Sequence, residues 1–146
     1  MPTSIETWVL VANASRADIY SRHKKRSPLE VVQSMSEDLA GAKEQELVAD
    51  APGRTFDSGG RGRHAMEPEH SEKEHLLSGF AQRIAHVLEA ARKADRFSRL
   101  IIIAAPAMLG ELRHHLDNVT AEHVTAEFDK DLTDRNPKAI AKFLDA

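Results

Sequence analysis

Four apolar runs along the chain predict strands. The run TWVLVAN at residues 7–13 is typical of a buried strand, and ADIYS at residues 17–21 predicts a second strand that forms a hairpin with it. The alternating run LEVVQSM at residues 29–35 predicts a third strand. RLIIIAA at residues 99–105 is almost wholly apolar and ends at Pro106, which predicts a central strand that is covered on both faces.

A long amphipathic helix is the clearest element in the pattern. Its apolar residues recur at helical spacing: Leu76, Leu77, Phe80, Ala81, Ile84, Val87, Leu88 and Ala91. They predict a helix from Glu72 to about Ala94. Ser71 and Glu74 have the spacing of a capping box, so Ser71 is the predicted N-cap residue.

The remaining segments give weaker patterns. Residues 37–49 predict a short or irregular helix, because Gly41 interrupts good helix formers, and residues 107–116 predict another short helix. Residues 119–128 give an ambiguous prediction: valine, threonine and phenylalanine favour a strand, whereas the alanines weaken that prediction.

The chain ends in a further predicted helix. Asn136 and Pro137 are typical of the cap and the first position of a helix. The predicted buried residues of this helix are Ala139, Ile140, Phe143 and Leu144. The element order predicts an α/β fold, a mixed β-sheet with flanking helices, in a single domain over residues 1–146.

Composition narrows the class of protein. The chain has no cysteine, which excludes disulfides, thiolate metal sites and a cysteine nucleophile. Its formal net charge is −3, so any binding of anions must depend on local basic patches. The N-terminus lacks the basic segment of a signal peptide, and no apolar run has the length of a transmembrane helix. We therefore expect a cytoplasmic protein of bacterial type without membrane insertion.

The most informative stretch is PGRTFDSGGRGRHAME at residues 52–67. It has no apolar period, which predicts an exposed loop rich in glycine and arginine over residues 52–70. Guanidinium groups match phosphate and carboxylate, and glycines let another backbone approach closely. The predicted anion- or RNA-binding residues are Arg54, Gly59, Gly60, Arg61, Gly62, Arg63 and His64.

A second basic patch follows the predicted hairpin. Its predicted members are Arg22, Lys24, Lys25 and Arg26. The patch fits either a solvated hairpin tip or a surface that contacts phosphate, and the sequence leaves both open.

No catalytic or metal-binding pattern is complete. His70 and Glu74 have the spacing of a ligand pair, but the chain has no H-E-x-x-H motif, and we expect no metal and no cofactor. Ser58 lies outside any G-x-S-x-G motif, which leaves His64 as the one local candidate for a general base. Asp18 has no evident partner carboxylates for two-metal chemistry, and the His114–His115 pair is expected on the surface.

Several segments together resemble a known family. TWVLVANASRADIYS, LVADAPGRTFDSGGRGRHAMEP, GFAQRIAHVLEAA, LIIIAAPAMLGELR and DKDLT are similar to the bacterial host attachment proteins, small proteins named as required for attachment to host cells. The resemblance extends over about residues 7–144. This family is in turn similar to the middle domain of archaeal and eukaryotic peptide-chain release factors, which implies an RNase H-like fold with a glycine-rich loop before a long helix.

The resemblance also implies a class of function. The release-factor loop carries Gly-Gly-Gln and promotes hydrolysis of peptidyl-tRNA on the ribosome, whereas here Gly59-Gly60 is followed by Arg61 and residues 52–67 contain no glutamine. The resemblance thus implies a factor that associates with the ribosome or with RNA, and the missing glutamine favours a non-enzyme over an enzyme. A protein-interaction factor acting in host-cell attachment or surface assembly, and a hydrolase that uses the loop, are the alternatives. Oligomeric state stays open.

Overall fold

A computed structural model describes residues 6–37 and 69–146, without the side chains of residues 69–71. The elements of these two ranges are β1 (Thr7–Ala12), β2 (Arg16–Arg22), β3 (Glu30–Ser36), α1 (Glu69–Lys93), β4 (Arg99–Ala104), α2 (Pro106–His115), α3 (Asn118–Glu122), β5 (Val124–Phe128) and α4 (Pro137–Asp145). The four predicted strands and the helices predicted near residues 72–94, 107–116 and 137–144 are all present, and the segment whose strand was left undecided contains β5.

The strands form a five-stranded sheet in the order β3-β2-β1-β4-β5. β2 runs antiparallel to β1 and β3, whereas β1, β4 and β5 run parallel. Thr7 pairs with both Arg22 and Arg99, which defines the amino-end edge of the sheet, where β1 and β4 begin. Ala12 pairs with Ala17 and Ala104 at the opposite, carboxyl-end edge. This topology confirms the predicted α/β fold, a mixed β-sheet with flanking helices.

Two apolar cores cover the two faces of the sheet. Alternate residues of β1 divide between them, because successive side chains of a strand point to opposite faces. Trp8 and Leu10 pack with Phe80, Ile84 and other residues of α1 and α2. Val9 and Val11 pack with Ile140 of α4 on the other face. The burial of β1 and β4 on both sides explains why their sequences read as continuous apolar runs.

The predicted stripe of α1 is confirmed except at its beginning. Phe80, Ile84 and Leu88 are fully buried, but Leu76 is 49% exposed. The helix also begins at Glu69 rather than Glu72, so Ser71 lies inside it and cannot be its N-cap residue. Residues 69 and 70 are therefore helical and do not belong to the predicted loop at 52–70.

Residues 118–128 contain both a helix and a strand. Asp117 caps α3, and its side chain accepts a hydrogen bond of 2.8 Å from the backbone N–H of Thr120. This local bond stabilises one helical turn in a segment whose valine and threonine favour a strand. β5 follows directly after that turn.

The other predicted cap is confirmed. The Asn136 side chain accepts from the N–H of Ala139 at 2.8 Å, and Pro137 begins α4. The predicted helix over residues 37–49 lies outside the described residues, apart from Glu37.

Candidate functional site

The residues of the predicted anion-binding loop lie outside the described part of the chain. These are Arg54, Gly59, Gly60, Arg61, Gly62, Arg63 and His64. The structure does describe the elements between which they are placed in the sequence, β3 and α1.

Glu37 fixes the point at which residues 38–68 leave the sheet. β3 ends at Ser36, which pairs with Arg16 at the carboxyl-end edge. The N–H of Glu37 donates to the carbonyl oxygen of Ser15 at 2.8 Å. The carboxylate of Glu37 binds Arg83 of α1, and only 14% of the Glu37 side chain is exposed. The end of β3 is therefore tied directly to the helix at which the undescribed segment ends.

Arg83 has a second contact that restricts its position. Its guanidinium lies over the ring of Phe80, 5.1 Å from the ring centroid. Phe80 is itself fully buried in the core. The ion pair with Glu37 is thus built on a fixed part of α1.

A polar cluster formed by Asn13, Asp131 and Thr133 joins β1 to the segment after β5. The Asn13 amide donates to Asp131 at 2.9 Å and to Thr133 Oγ1 at 3.0 Å. Its Oδ1 accepts from the N–H groups of Ser15 and Arg16 at 2.8 and 2.9 Å. The cluster lies where the parallel strands end, the usual place for a ligand in an open α/β sheet. Asn13 is occupied by internal hydrogen bonds, so the cluster acts as a clamp on two loops.

The same contacts set the ionisation of Asp131. Burial by itself would raise the pKa of this carboxyl, but hydrogen bonds from the Thr133 hydroxyl, the Asn13 amide and the Thr133 N–H hold the pKa below its ordinary value. Asp131 is therefore ionised at neutral pH and binds its two neighbours as an anion.

Asp18 is a buried carboxylate in the middle of β2. It accepts hydrogen bonds from Arg16 at 3.2 Å and from Ser34 at 2.8 Å. Burial, and then the negative charge of Asp18, raise the pKa of the neighbouring Tyr20, although Arg16 acts in the opposite direction. Among the side chains that the structure describes, those of residues 6–37 and 72–146, no three histidine or acidic residues are grouped so that they could hold a metal ion. Asp18 is paired with a cation and a hydroxyl, as expected of a structural carboxylate.

The second basic patch loses one of its four predicted members. Arg22 is only 5% exposed, and its guanidinium binds both carboxylate oxygens of Asp145 at 2.9–3.2 Å. It points to the face of the sheet covered by α4, because it continues the alternation of Asp18 and Tyr20 along β2. Arg22 thus fastens the end of α4 and is not available to a ligand.

Lys24, Lys25 and Arg26 are exposed in the turn after β2. Ser27 N–H donates to the carbonyl oxygen of Lys24 at 2.9 Å, and Arg26 adopts a positive φ of 71°. The three cations therefore lie at a tight turn on the amino-end edge, opposite the edge from which residues 38–68 leave.

His115 is not the surface residue that its sequence position suggested. Its Nε2 lies 2.9 Å from the hydroxyl of Ser78 and 3.5 Å from the carboxylate of Glu111. A catalytic triad needs the acid on the other ring nitrogen, so this arrangement joins α1 to α2 without activating Ser78. The spacing of Glu111 and His115 along one helix face was visible in the sequence, but the contact with Ser78 was not. His114 remains exposed.

Comparisons with known proteins give a family and a distant structural likeness. The model of the family described as "Protein required for attachment to host cells" matches residues 8–144. No curated protein matches the chain. Among solved structures, the chain is similar to Dom34 of S. cerevisiae, described as "a translation termination-like factor involved in RNA quality control pathways and interacting with Hbs1", with a TM-score of 0.38 and 11% identity. The similarity covers 98% of this chain and 36% of that one, so the chain spans little more than a third of Dom34.

In the described part of the chain, no helix has both the length and the apolar character needed to span a membrane.

Proposed function

We propose that this chain, which belongs to the family of proteins required for attachment to host cells, is a cytoplasmic factor that binds RNA on the ribosome. Arg54, Arg61 and Arg63 would bind phosphate groups, and the glycines between them would allow the RNA backbone to approach. The observation that carries the proposal is a fixed frame formed by Glu37, Arg83 and the end of β3, which flank this segment in the sequence.

The frame lowers the cost of binding. In the sequence, residues 38–68 lie between Glu37, which follows β3, and α1, and Glu37 already binds Arg83 of α1, so these flanking parts need not be ordered when a ligand binds. The three arginines supply planar donor groups that match phosphate oxygens, and such contacts do not depend on base identity. The chain as a whole carries a net charge of −3, so attraction to RNA must come from local groups of this kind.

The proposed role is binding rather than hydrolysis. Gly59-Gly60 is followed by Arg61 where the release-factor loop that the sequence resembles has glutamine. In the described residues, the carboxylates of Asp18 and Asp131 are engaged by hydrogen bonds inside the protein. A role in attachment to host cells would then follow indirectly, through the synthesis of other proteins.

Co-sedimentation with purified ribosomes over a series of salt concentrations tests the proposal. The wild type is compared with Arg61→Ala/Arg63→Ala and with the control Lys130→Ala/Lys138→Ala, which removes the same charge from two exposed positions. We expect wild-type binding that weakens steeply with salt, a clear loss in the arginine variant and little change in the control.

Three results would contradict the proposal. Absence of binding at low salt would exclude ribosome association and direct the search to a protein partner. An equal loss in the arginine variant and the control would show a general charge effect. Hydrolysis of peptidyl-tRNA by the wild type that is lost in His64→Ala would establish an enzyme instead.

A further inference from the structure

We infer that the amino-end edge of the sheet is a second surface that contacts the phosphates of RNA. Its basic residues come from segments that are distant in the sequence: Lys24, Lys25, Arg26, Lys93, Arg96 and Arg99. We call this set the basic edge. It goes beyond the proposed function because it includes no residue of the 52–67 segment and lies at the opposite edge of the sheet from the point where residues 38–68 leave.

The pairing of the strands brings the two halves of the basic edge together. Thr7 is the register partner of both Arg22, at the end of β2, and Arg99, at the beginning of β4. These two positions are thus two strand spacings apart, or about 10 Å. The carbonyl oxygen of Glu6 also accepts from the N–H groups of Ser98 and Arg99 at 2.9 and 3.3 Å. The turn after β2 and the loop before β4 therefore lie on the two sides of Thr7, where β1 begins.

The arginines of the basic edge lack the ion pairs that the other arginines of the described residues form. Six arginines each have a carboxylate within ion-pair distance: Arg16, Arg22, Arg83, Arg92, Arg113 and Arg135. The other three, Arg26, Arg96 and Arg99, have no such partner in the described part of the chain, and all three lie at this edge. A cation that has no carboxylate partner among the described residues is available to an external anion.

The local charge agrees with this distribution. Residues 23–30 and 93–99 contain six lysines and arginines against Glu30 and Asp95, an excess of four positive charges in a chain whose net charge is −3. Glu6, Asp117 and Glu122 lie close to the same edge, and counting all three still leaves an excess of one. Glu6 is moreover bound by His23, whose Nδ1 lies 2.9 Å from its carboxylate. The edge thus has a positive field of its own.

Arg96 is held in place before any ligand binds. Its guanidinium lies over the ring of Trp8, 5.3 Å from the ring centroid, and Trp8 in turn contacts the ring of Phe97 at 5.2 Å. This cation–π contact leaves N–H groups of the guanidinium to donate to phosphate oxygens. Less side-chain freedom is then lost when Arg96 binds an anion.

The buried aromatic rings favour RNA over a membrane surface. Trp8 and Phe97 are only 3% and 4% exposed, so they cannot insert into the interface of a bilayer. The exposed groups of the basic edge are cations in two turns and at the adjoining ends of α1 and β4, which suit a charged strand that passes along the edge. Single-stranded RNA is the partner that this chemistry fits.

Fluorescence anisotropy with a labelled single-stranded oligouridylate tests the inference. Two full-length variants each remove two charges from one half of the basic edge: Lys24→Gln/Lys25→Gln and Lys93→Gln/Arg99→Gln. The control Lys130→Gln/Lys138→Gln removes two charges from exposed positions elsewhere. Affinity is measured over a series of salt concentrations, and the emission of Trp8 confirms that each variant is folded.

We expect both edge variants to bind more weakly and to show a smaller salt dependence. When two phosphates of a single strand are no longer neutralised by the protein, the slope of log K against log salt becomes shallower by about 1.4. The control is expected to keep the wild-type slope. An additional Arg61→Gln/Arg63→Gln variant is expected to reduce the slope independently of the edge variants.

The inference fails if neither edge variant changes the slope, or if the control changes it equally. It also fails if the edge variants lose binding to vesicles containing anionic lipid while their RNA binding is unchanged. A loss confined to the Arg61/Arg63 variant would support the proposed function and overturn the basic edge. A loss confined to the edge variants would support the basic edge and contradict the proposed loop.

Discussion

The Asp145→Asn substitution removes the carboxylate that binds the buried guanidinium of Arg22. In the wild type the two side chains are 4% and 19% exposed, and the guanidinium donates to both carboxylate oxygens. The Nε of Arg22 has no hydrogen-bond partner. Among the described residues, Asp145 is therefore the group that compensates the positive charge of Arg22. Arginine cannot lose its proton in a protein, and the variant must therefore bury an unpaired cation.

The expected effect is large for a single polar substitution. Removing one partner of a buried ion pair costs about 3–5 kcal/mol, and the amide oxygen that remains in asparagine places the cost near the lower end of that range. A loss of about 3 kcal/mol corresponds to a decrease in Tm of roughly 10 °C for a chain of this length. Arg22→Met is expected to cost less, because the carboxylate left behind is 19% exposed and can be hydrated.

Urea denaturation monitored by the emission of Trp8 measures these differences, since Trp8 is the only tryptophan and is 3% exposed. The double variant Arg22→Met/Asp145→Leu is expected to be close to the wild type in stability, because replacing a buried ion pair by apolar residues is often neutral. A change below about 0.5 kcal/mol for Asp145→Asn would refute the reasoning, because surface substitutions have effects of that size. Arg22 would then be free to bind a ligand, as its sequence context suggested.

Three further predictions concern the core, a helix cap and pH. In urea denaturation, Phe80→Ala is expected to lower the free energy of unfolding by about 3–5 kcal/mol, because Phe80 is fully buried. Leu76→Ala, at a position 49% exposed, should lower it by less than about 1 kcal/mol. Equal effects of the two substitutions would show that α1 packs through a different face. Asn136→Ala is expected to lower the free energy of unfolding by about 1 kcal/mol, because the cap on α4 is lost, whereas Asn136→Asp should keep most of the stability that the cap contributes. Equal losses of stability in the two variants would exclude the cap. Because its pKa is lowered in the folded state, ionised Asp131 contributes stability above its unfolded pKa and loses that contribution as pH falls through the folded value. The difference in stability between wild type and Asp131→Asn should therefore be complete at neutral pH, begin to decrease near the unfolded aspartate pKa of about 3.9 and vanish only below the lower folded pKa; a difference that persists at still lower pH would contradict the assigned hydrogen bonds.

The fold was largely predictable because its central elements have strong local signals. β1 and β4 are buried on both faces, so their apolar runs could be identified without knowledge of their neighbours. The cap at Asn136 was equally visible, since a capping side chain bonds to the backbone three residues later. The cap at Asp117 has the same spacing to Thr120 and could have indicated α3 in a segment whose strand was left open.

The site residues depend on contacts that no local pattern contains. The basic run after β2 suggested that Arg22 is exposed, but its partner Asp145 is 123 residues away. Ser78 and His115 are likewise 37 residues apart and meet only because α1 packs on α2. The basic edge required the register of β1 with two other strands, because Lys24 and Arg99 share no sequence pattern. The predicted roles of Arg54, Arg61 and Arg63 lie outside the described residues and remain predictions.

The salt dependence of RNA binding tests the central claim most directly, because it counts the phosphate contacts proposed for the segment at residues 52–67. The slope of log K against log salt is measured for the wild type and for Arg61→Ala/Arg63→Ala with the same single-stranded RNA. If both arginines bind phosphate, the slope of the variant is shallower by about 1.4 and its affinity at low salt is lower. If both proteins show the same slope and the same affinity, these arginines do not contact RNA and the proposed function is wrong.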